Sequence, residues 1–247
     1  MQKIALITGA AQGLGEIICA ELFSAGYRLV MTDANLAGVE AAASKLCADS
    51  DKVMALKLDV LDKQQFIAAQ EQVASAWGSI DVLVNNAAMT PTTSLFDITP
   101  EEFSQVVDIN LRGTFLACQV VGEQMMQRGA GRIINLASLA GQMGGVAAGA
   151  HYASSKAGIV TLTKIFARTL AGKGVTVNAI APGPVDLATV REKVPADKLE
   201  HIIQNVIPVQ ALSDPSFIGQ MVLMLASDGA ATVTGATWDI NGGMFMR

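Results

Sequence analysis

Tyr152 and Lys156 stand four residues apart in the stretch His151-Tyr152-Ala153-Ser154-Ser155-Lys156. On a helix the two side chains share a face, one turn apart. A phenol and an ammonium held that close form a proton-transfer unit. A free phenol has a pKa of about 10 and is a poor base at neutral pH. A neighbouring positive charge favours the phenolate and brings it toward working range. An exposed helix pair carries the same spacing, so the chemistry depends on what surrounds it. Ser138, at the end of an apolar run, is one candidate neighbour. Asn110 is another. Asparagine is a poor mid-helix residue, and such local violations gather at functional sites.

A second set of residues could hold a dinucleotide. Thr8-Gly9-Ala10-Ala11-Gln12-Gly13-Leu14-Gly15 follows an apolar run and precedes a helical pattern. Gly9 permits the tight turn, Gly13 lets backbone approach a diphosphate, and Gly15 lets the helix pack close to the strand. The helix N-terminus then offers free N–H groups to phosphate. The spacing is Gly-x-x-x-Gly-x-Gly rather than Gly-x-Gly-x-x-Gly. Asp33 ends the next strand. A carboxylate there can accept both hydroxyls of an adenosine ribose and would repel a 2′-phosphate. Ala34 and Asn35 follow it, and Gln12 puts no cation in the glycine loop. These residues point to NAD over NADP. The other reading of Asp33 is a helix N-cap.

These groups meet only if strands and helices alternate. Strands are expected over 3–8, 28–32, 52–58, 80–84, 131–137, 174–180 and 237–240. Helices are expected over 16–24, from Asp62 as N-cap to 77, from Thr99-Pro100 to about 128, through Tyr152 to about 170, and from Asp214-Pro215 onward. Residues 141–145 are expected to be a flexible connection. The region 182–210 has no good strand and is long enough to be a lid, placed at about 186–210, with one or two helices. Alternation of this kind implies an α/β fold with a parallel sheet. Ligands then sit at the carboxyl ends of the strands. Asp59, Val60, Asn86, Ala87 and Ser138 fall on that rim, though Asp59 and Asn86 could equally close turns.

Composition limits the alternatives. The 247 residues are 51% hydrophobic and 16% charged, ample for a core. A net charge of −5 argues against a nucleic-acid or anionic-membrane surface. Cys19, Cys47 and Cys118 show neither metal-ligand spacing nor a disulfide framework, which suits reduced thiols in the cytoplasm; no metal is expected. No stretch reaches the roughly 18 apolar residues of a membrane span. No signal-peptide architecture, repeat or linker is visible, so 1–247 reads as one domain.

Together these residues resemble the short-chain dehydrogenases/reductases over essentially the whole chain. The resemblance rests on Thr8-Gly9-x-x-x-Gly13-x-Gly15, Asn85-Asn86-Ala87, Asn110, Ser138, Tyr152-x-x-x-Lys156 and Pro182-Gly183. It implies a Rossmann-type, doubly wound, seven-stranded parallel sheet in the order 3-2-1-4-5-6-7, and homotetramers or dimers. It implies Tyr152 as general acid/base and Ser138 as hydrogen-bond partner of the substrate oxygen. Lys156 would lower the Tyr152 pKa and bind the nicotinamide ribose, and Asn110 would hold a water linking Lys156 to solvent. Gly9, Gln12, Leu14, Asp33, Asp59, Val60, Asn86 and Val185 would line the NAD. The chain departs from the usual pattern at Ala88, where glycine is usual, and at Glu16. It departs also at Leu187, where a threonine often bonds the carboxamide; Thr189 could replace it. The Ser138–Tyr152 spacing is one residue longer than in many members.

The candidate substrate-facing residues are Met89, Leu139, Met143, Gly144, His151 and the segment from Leu187 to Val206. They are mostly apolar, with no arginine clamp. The expected substrate is a neutral secondary alcohol or ketone, with hydride exchanged with nicotinamide. The alternative is an NADPH-dependent 3-oxoacyl-thioester reductase, disfavoured by Asp33 and by the few basic residues (Arg128, Lys173) for docking an acidic carrier. A non-catalytic dinucleotide sensor is a third reading, at odds with the retained tyrosine and lysine. His151 reads as a structural histidine more readily than as a third acid/base. The apolar tail Met244-Phe245-Met246-Arg247 is expected at a subunit interface.

Overall fold

The computed structural model describes residues 2–47, 51–145 and 149–247. Strands β1 (Ile4–Thr8), β2 (Arg28–Asp33), β3 (Val53–Lys57), β4 (Val82–Asn85), β5 (Gly131–Leu136), β6 (Val175–Pro182) and β7 (Thr237–Ile240) form one sheet in the order β3-β2-β1-β4-β5-β6-β7. Every pairing is parallel. This is the expected α/β, doubly wound sheet. The chain order reverses between β1 and β4, and that reversal opens a crevice at the strands' carboxyl ends.

Both faces of the sheet are covered, which is why the strands read as unbroken apolar runs. On one face Ile7, Met31 and Val84 pack against helices α1 (Gly13–Ser24), α2 (Leu36–Leu46) and α10 (Pro215–Ala226). On the other, Leu6, Val30 and Leu83 pack against α3 (Lys63–Ala76), α5 (Gly113–Arg128) and α7 (Ala150–Leu170). Consecutive residues of β1 thus enter opposite cores, the period-2 consequence of a pleated strand.

Side chains start several helices as the sequence suggests. Asp62 accepts from the amide of Gln64 at α3, Thr99 from Glu102 at α4 (Pro100–Val107), and Asp214 from Ser216 at α10. At α2 the cap is Asn35, which accepts from Gly38, and not Asp33. The expected helix over 99–128 is interrupted. Asp108–Arg112 forms a π turn between α4 and α5, with the Gly113 amide donating to the Asp108 carbonyl. Such widened turns are frequent at functional sites. Residues 141–145, expected as a loop, begin with a short helix α6 (Ala140–Met143). The lid region carries two short helices, α8 (Ala188–Lys193) and α9 (Ala196–Asn205), broken at Pro195.

Candidate active site

The glycine turn lies at the carboxyl end of β1. Gly9 has φ +67, and a Cβ there would stand 2.7 Å from the Cα of Ala87. A Cβ on Gly15 would stand 2.1 Å from the Gly9 carbonyl oxygen, so α1 rests directly on the turn. Gly13 differs: its φ is +61, yet a Cβ would meet nothing within 4 Å. The space beside it is open. Gln12, the N-cap of α1, is extended and makes no side-chain cap, so first-turn N–H groups face that space. This cradle fits a diphosphate.

Asp33 sits at the end of β2. Its Oδ2 accepts from the Ala11 amide at 3.3 Å and its Oδ1 from the Asn35 amide at 2.9 Å. The carboxylate is therefore fixed beside the glycine turn, where the ribose argument needs it. Asn86 serves the turn itself: its Nδ2 donates to the carbonyls of Thr8 and Gly9 at 3.0 and 2.9 Å. The Thr8 hydroxyl accepts from the amides of Asn86 and Ala87. Asp59 closes a turn through the Leu61 amide. The Val60 side chain fills the space over Gly113 of α5. A Cβ on Gly183 would stand 2.9 Å from the Cα of Asn241, so this glycine serves packing against the end of β7 rather than an open cradle. Pro182 accepts from the Leu139 amide through its carbonyl, and Val185 is buried.

Lid and glycine loop share one space. A cavity of about 470 Å³ is lined by Gly13, Met31, Leu187 and Thr189, among others. Leu187 and Leu14 also pack against the larger core cluster. Glu16, a departure noted in the sequence, is paired with Lys45 at 2.6 Å. Ala88 is exposed.

On the same rim Ser138 follows β5, and its Oγ accepts from the Ala140 amide. Tyr152, in the first turn of α7, is half-buried, and its hydroxyl hydrogen-bonds with the side chains of Ser138 and Thr90. Burial pushes the phenol above its ordinary value, while those two bonds pull it down. Lys156 is buried; its Nζ donates to the Leu136 carbonyl at 2.6 Å and lies 5.6 Å from the Tyr152 ring centroid. Desolvation lowers the Lys156 pKa to about 8. The expectation that Lys156 depresses the tyrosine is thus not met in this geometry: burial dominates, and the ammonium is turned toward β5.

Asn110 occupies the centre of the π turn and is fully buried. Its side chain is wholly occupied. Oδ1 accepts from the Met89 amide at 2.7 Å, and Nδ2 donates to the Met89 carbonyl and the Ser155 hydroxyl, each at 3.0 Å. Ser155 in turn donates to the Tyr152 carbonyl at 2.7 Å. Asn110 therefore ties the loop after β4 to α7. Any water-holding role falls to its backbone carbonyl, which already accepts from Thr114. The sequence marks Thr8 only as part of the glycine motif and gives Thr90 and Ser155 no role. Ser155, three residues beyond Tyr152 on one helix face, is the one whose spacing could have flagged it.

The candidate substrate residues divide. Met143 is exposed, and Gly144 beside it has φ +72. Met89 is half-buried beside Thr90. Leu139 is buried, and His151 has no exposed surface at all, so neither presents a side chain to open space. His151 is instead bonded to Glu102 and to the Tyr152 amide. Among the described residues no cluster of metal-ligating side chains occurs, and no helix is long and apolar enough to cross a membrane. Cys19 and Cys118 are buried free thiols, and burial raises both, Cys118 to about 12.

The family described as enoyl-(acyl carrier protein) reductase matches residues 9–245. A 3-oxoacyl-[acyl-carrier-protein] reductase FabG of Staphylococcus epidermidis is 37% identical over the full length of both chains. Its counterpart from Staphylococcus aureus is 37% identical over 100% of this chain and 99% of its own. An acetoacetyl-CoA reductase of Rhizobium meliloti is 38% identical over 99% of each. With the parallel sheet, the glycine turn and the Ser138–Tyr152–Lys156 set in place, these full-length matches put the chain in the short-chain dehydrogenase/reductase family of nicotinamide-dependent oxidoreductases.

Proposed function

We propose that the chain reduces a 3-oxoacyl thioester to the 3-hydroxyacyl thioester, with NADH as the preferred reductant. The observation that carries this reading is the full-length match to two kinds of relative whose names share a 3-oxoacyl thioester substrate, around an intact Ser138–Tyr152–Lys156 set. It displaces the simple secondary alcohol or ketone expected from the apolar pocket residues. Those residues suit it equally, because the reacting end of such a thioester is neutral. Arg128, weighed as a carrier-docking group, is committed to Asp81 and to the Ile80 and Ala130 carbonyls. Those partners lie at the amino ends of β4 and β5, the rim opposite Ser138. A coenzyme A ester is therefore the first substrate to offer.

The nicotinamide, when bound, supplies the hydride to the C3 carbonyl carbon. Ser138 Oγ donates to the carbonyl oxygen. Tyr152 Oη gives its proton to that oxygen as the C–O bond becomes an alkoxide. Lys156, one turn on, would turn from the Leu136 carbonyl toward the phenolate and the ribose once the dinucleotide is bound. The Gly13 cradle and α1 N-terminus hold the diphosphate, and Asp33 takes the adenosine ribose. A homotetramer is part of the same reading: Phe115 on α5 and Ile165 on α7 are apolar and exposed in the single chain.

A steady-state panel tests the function. Acetoacetyl-CoA with NADH should give the highest kcat/KM, well above small cyclic ketones, and Tyr152→Phe should abolish it while leaving NADH binding intact. Turnover confined to simple alcohols or ketones would overturn the thioester reading.

A further inference from the structure

We propose that His151, held in one tautomer by Glu102, is a positioning residue for Tyr152: its ring replaces the missing N-cap of the catalytic helix and locks that helix to the loop over the substrate. The proposal rests on the reductase reading only in taking Tyr152 as the proton donor.

A helix leaves its first N–H groups without intrahelical partners, and buried ones must be satisfied in another way. At α7 the N-cap is Gly149, which has no side chain to offer. Tyr152 is the third residue of that helix, and its amide would be orphaned. It donates instead to Nδ1 of His151 at 2.8 Å. Because Nδ1 accepts, the ring proton is on Nε2, which donates to Glu102 Oε1 at 3.2 Å. The opposite tautomer would set two donors face to face at Tyr152 and two acceptors at Glu102. The carboxylate of Glu102 thus selects the tautomer that caps the helix.

The same Oε1 accepts from the Thr93 hydroxyl at 2.6 Å. Thr93 lies on the loop after β4 that carries Met89 and Thr90, and Thr90 bonds the Tyr152 hydroxyl. One carboxylate therefore fixes both the backbone of the proton donor and the loop touching its phenol. Gly149 is part of the device. A Cβ there would stand 2.2 Å from His151 Cε1 and 2.7 Å from Nδ1, so only glycine leaves room for the ring. The ring is fully buried and 6.4 Å from the Phe103 ring, which excludes water as a substitute partner.

Isosteric substitutions separate this role from others. His151→Asn keeps an acceptor where Nδ1 was; His151→Gln keeps a polar group where Nε2 was and loses the acceptor. Glu102→Gln keeps an acceptor for both the ring and Thr93, and Glu102→Leu removes it. A displacement of about 1 Å at a reacting group costs up to about a hundredfold in rate. The expected result is a 10- to 100-fold loss of kcat in His151→Gln and Glu102→Leu. His151→Asn, which keeps the cap but cannot reach Glu102, should lose clearly less than His151→Gln, Glu102→Gln should stay within about threefold of the parent, and NADH affinity should be unchanged in all four. Rates are taken on whichever carbonyl compound the parent reduces, so failure on thioesters would overturn the function alone. Loss in His151→Asn equal to that in His151→Gln, or no loss in either, would overturn the proposal. Should His151→Gln not fold, ¹⁵N resonances decide: the chain has only two histidines, and His201→Asn assigns them. Nδ1 of His151 must appear unprotonated and Nε2 protonated; the reverse pattern refutes the arrangement.

Discussion

Replacing Lys156 should make this protein more stable, and the size of the gain is set by burial. Lys156 is 3% exposed, and its pKa falls from 10.5 to about 8 through desolvation alone. At pH 7 the folded chain therefore carries an ammonium in a place that disfavours charge by about 3 kcal/mol relative to the unfolded chain. Lys156→Met removes the charge and keeps the length and apolar stem. It also removes the 2.6 Å bond from Nζ to the Leu136 carbonyl, a loss of about 1 to 2 kcal/mol. The net gain is about 1 to 2 kcal/mol, or about 2 to 8 °C in Tm for a chain of this size. The pH dependence is the sharper check. Between about pH 8 and 10.5 the unfolded lysine holds a proton that the folded one has released, so parent stability rises with pH through that window. Below about 8 both states are protonated and the full penalty stands; above 10.5 both are neutral and it is gone. The Met variant lacks this component, and its other titrations cancel in the difference. Its advantage should therefore be greatest at pH 7 and shrink through pH 8 to 10. Chemical unfolding of both proteins, without cofactor and at one concentration, measures this. A variant less stable than its parent at pH 7, or a gap that does not change with pH, would refute the reasoning. Turnover should be lost in either case.

Asp33→Asn keeps an acceptor for the Asn35 amide but removes the charge that would face a 2′-phosphate. A like-charge contact at about 4 Å is worth about 4 kcal/mol at an effective dielectric of 20, and half-exposure cuts this to about 1 to 2. Fluorescence titration should show a parent preference for NADH that narrows about tenfold in the variant; an NADPH preference in the parent would defeat the ribose argument. Gly9→Ala and Gly13→Ala share positive φ but differ in surroundings. The first adds a collision with Ala87 and should lose about 2 to 4 kcal/mol, read as a Tm fall of about 5 to 15 °C. Gly13→Ala, with nothing within 4 Å, should lose only about 1 to 2 kcal/mol yet bind dinucleotide markedly less well, and equal Tm losses would contradict the open cradle. Deleting residues 244–247, where Met246 is 80% exposed, should lower the mass of the assembly in light scattering, and an unchanged mass and activity would dismiss the tail as an interface.

The frame of the site was legible because local rules and tertiary needs agree there. Apolar runs bounded by Gly, Asp and Asn give strands; the strands' shared direction puts Gly9, Asp33, Asn86 and Ser138 on one rim. Asp62, Thr99 and Asp214 announce helix starts by chemistry confined to three or four residues. What the chain order hides is made by distant partners. His151 meets Glu102 across 49 positions, and Asn110 meets Met89 across 21. The π turn around Asn110 coincides with those side-chain bonds, which local sequence does not announce. Nor does Tyr-x-x-x-Lys spacing say where Nζ points; the Leu136 carbonyl decides that.

Two of the helix starts that lack a side-chain cap face the crevice. Helices α2, α3, α4 and α10 each have a side-chain cap, an interaction worth about 1 kcal/mol. Helices α5, α6, α8 and α9 have none, nor do α1 and α7, whose amino ends face the crevice. At α1 a cap from Gln12 would occupy the N–H groups that a diphosphate needs, and the open space beside Gly13 would lose its use. At α7 a serine or aspartate in place of Gly149 would put a Cβ into the His151 ring, breaking the link to Glu102 and with it the hold on the loop that touches Tyr152. In both helices the first turn is open to a partner that does more than cap: under the proposed function a phosphate in one, and in the other a histidine bonded to a carboxylate of a neighbouring helix.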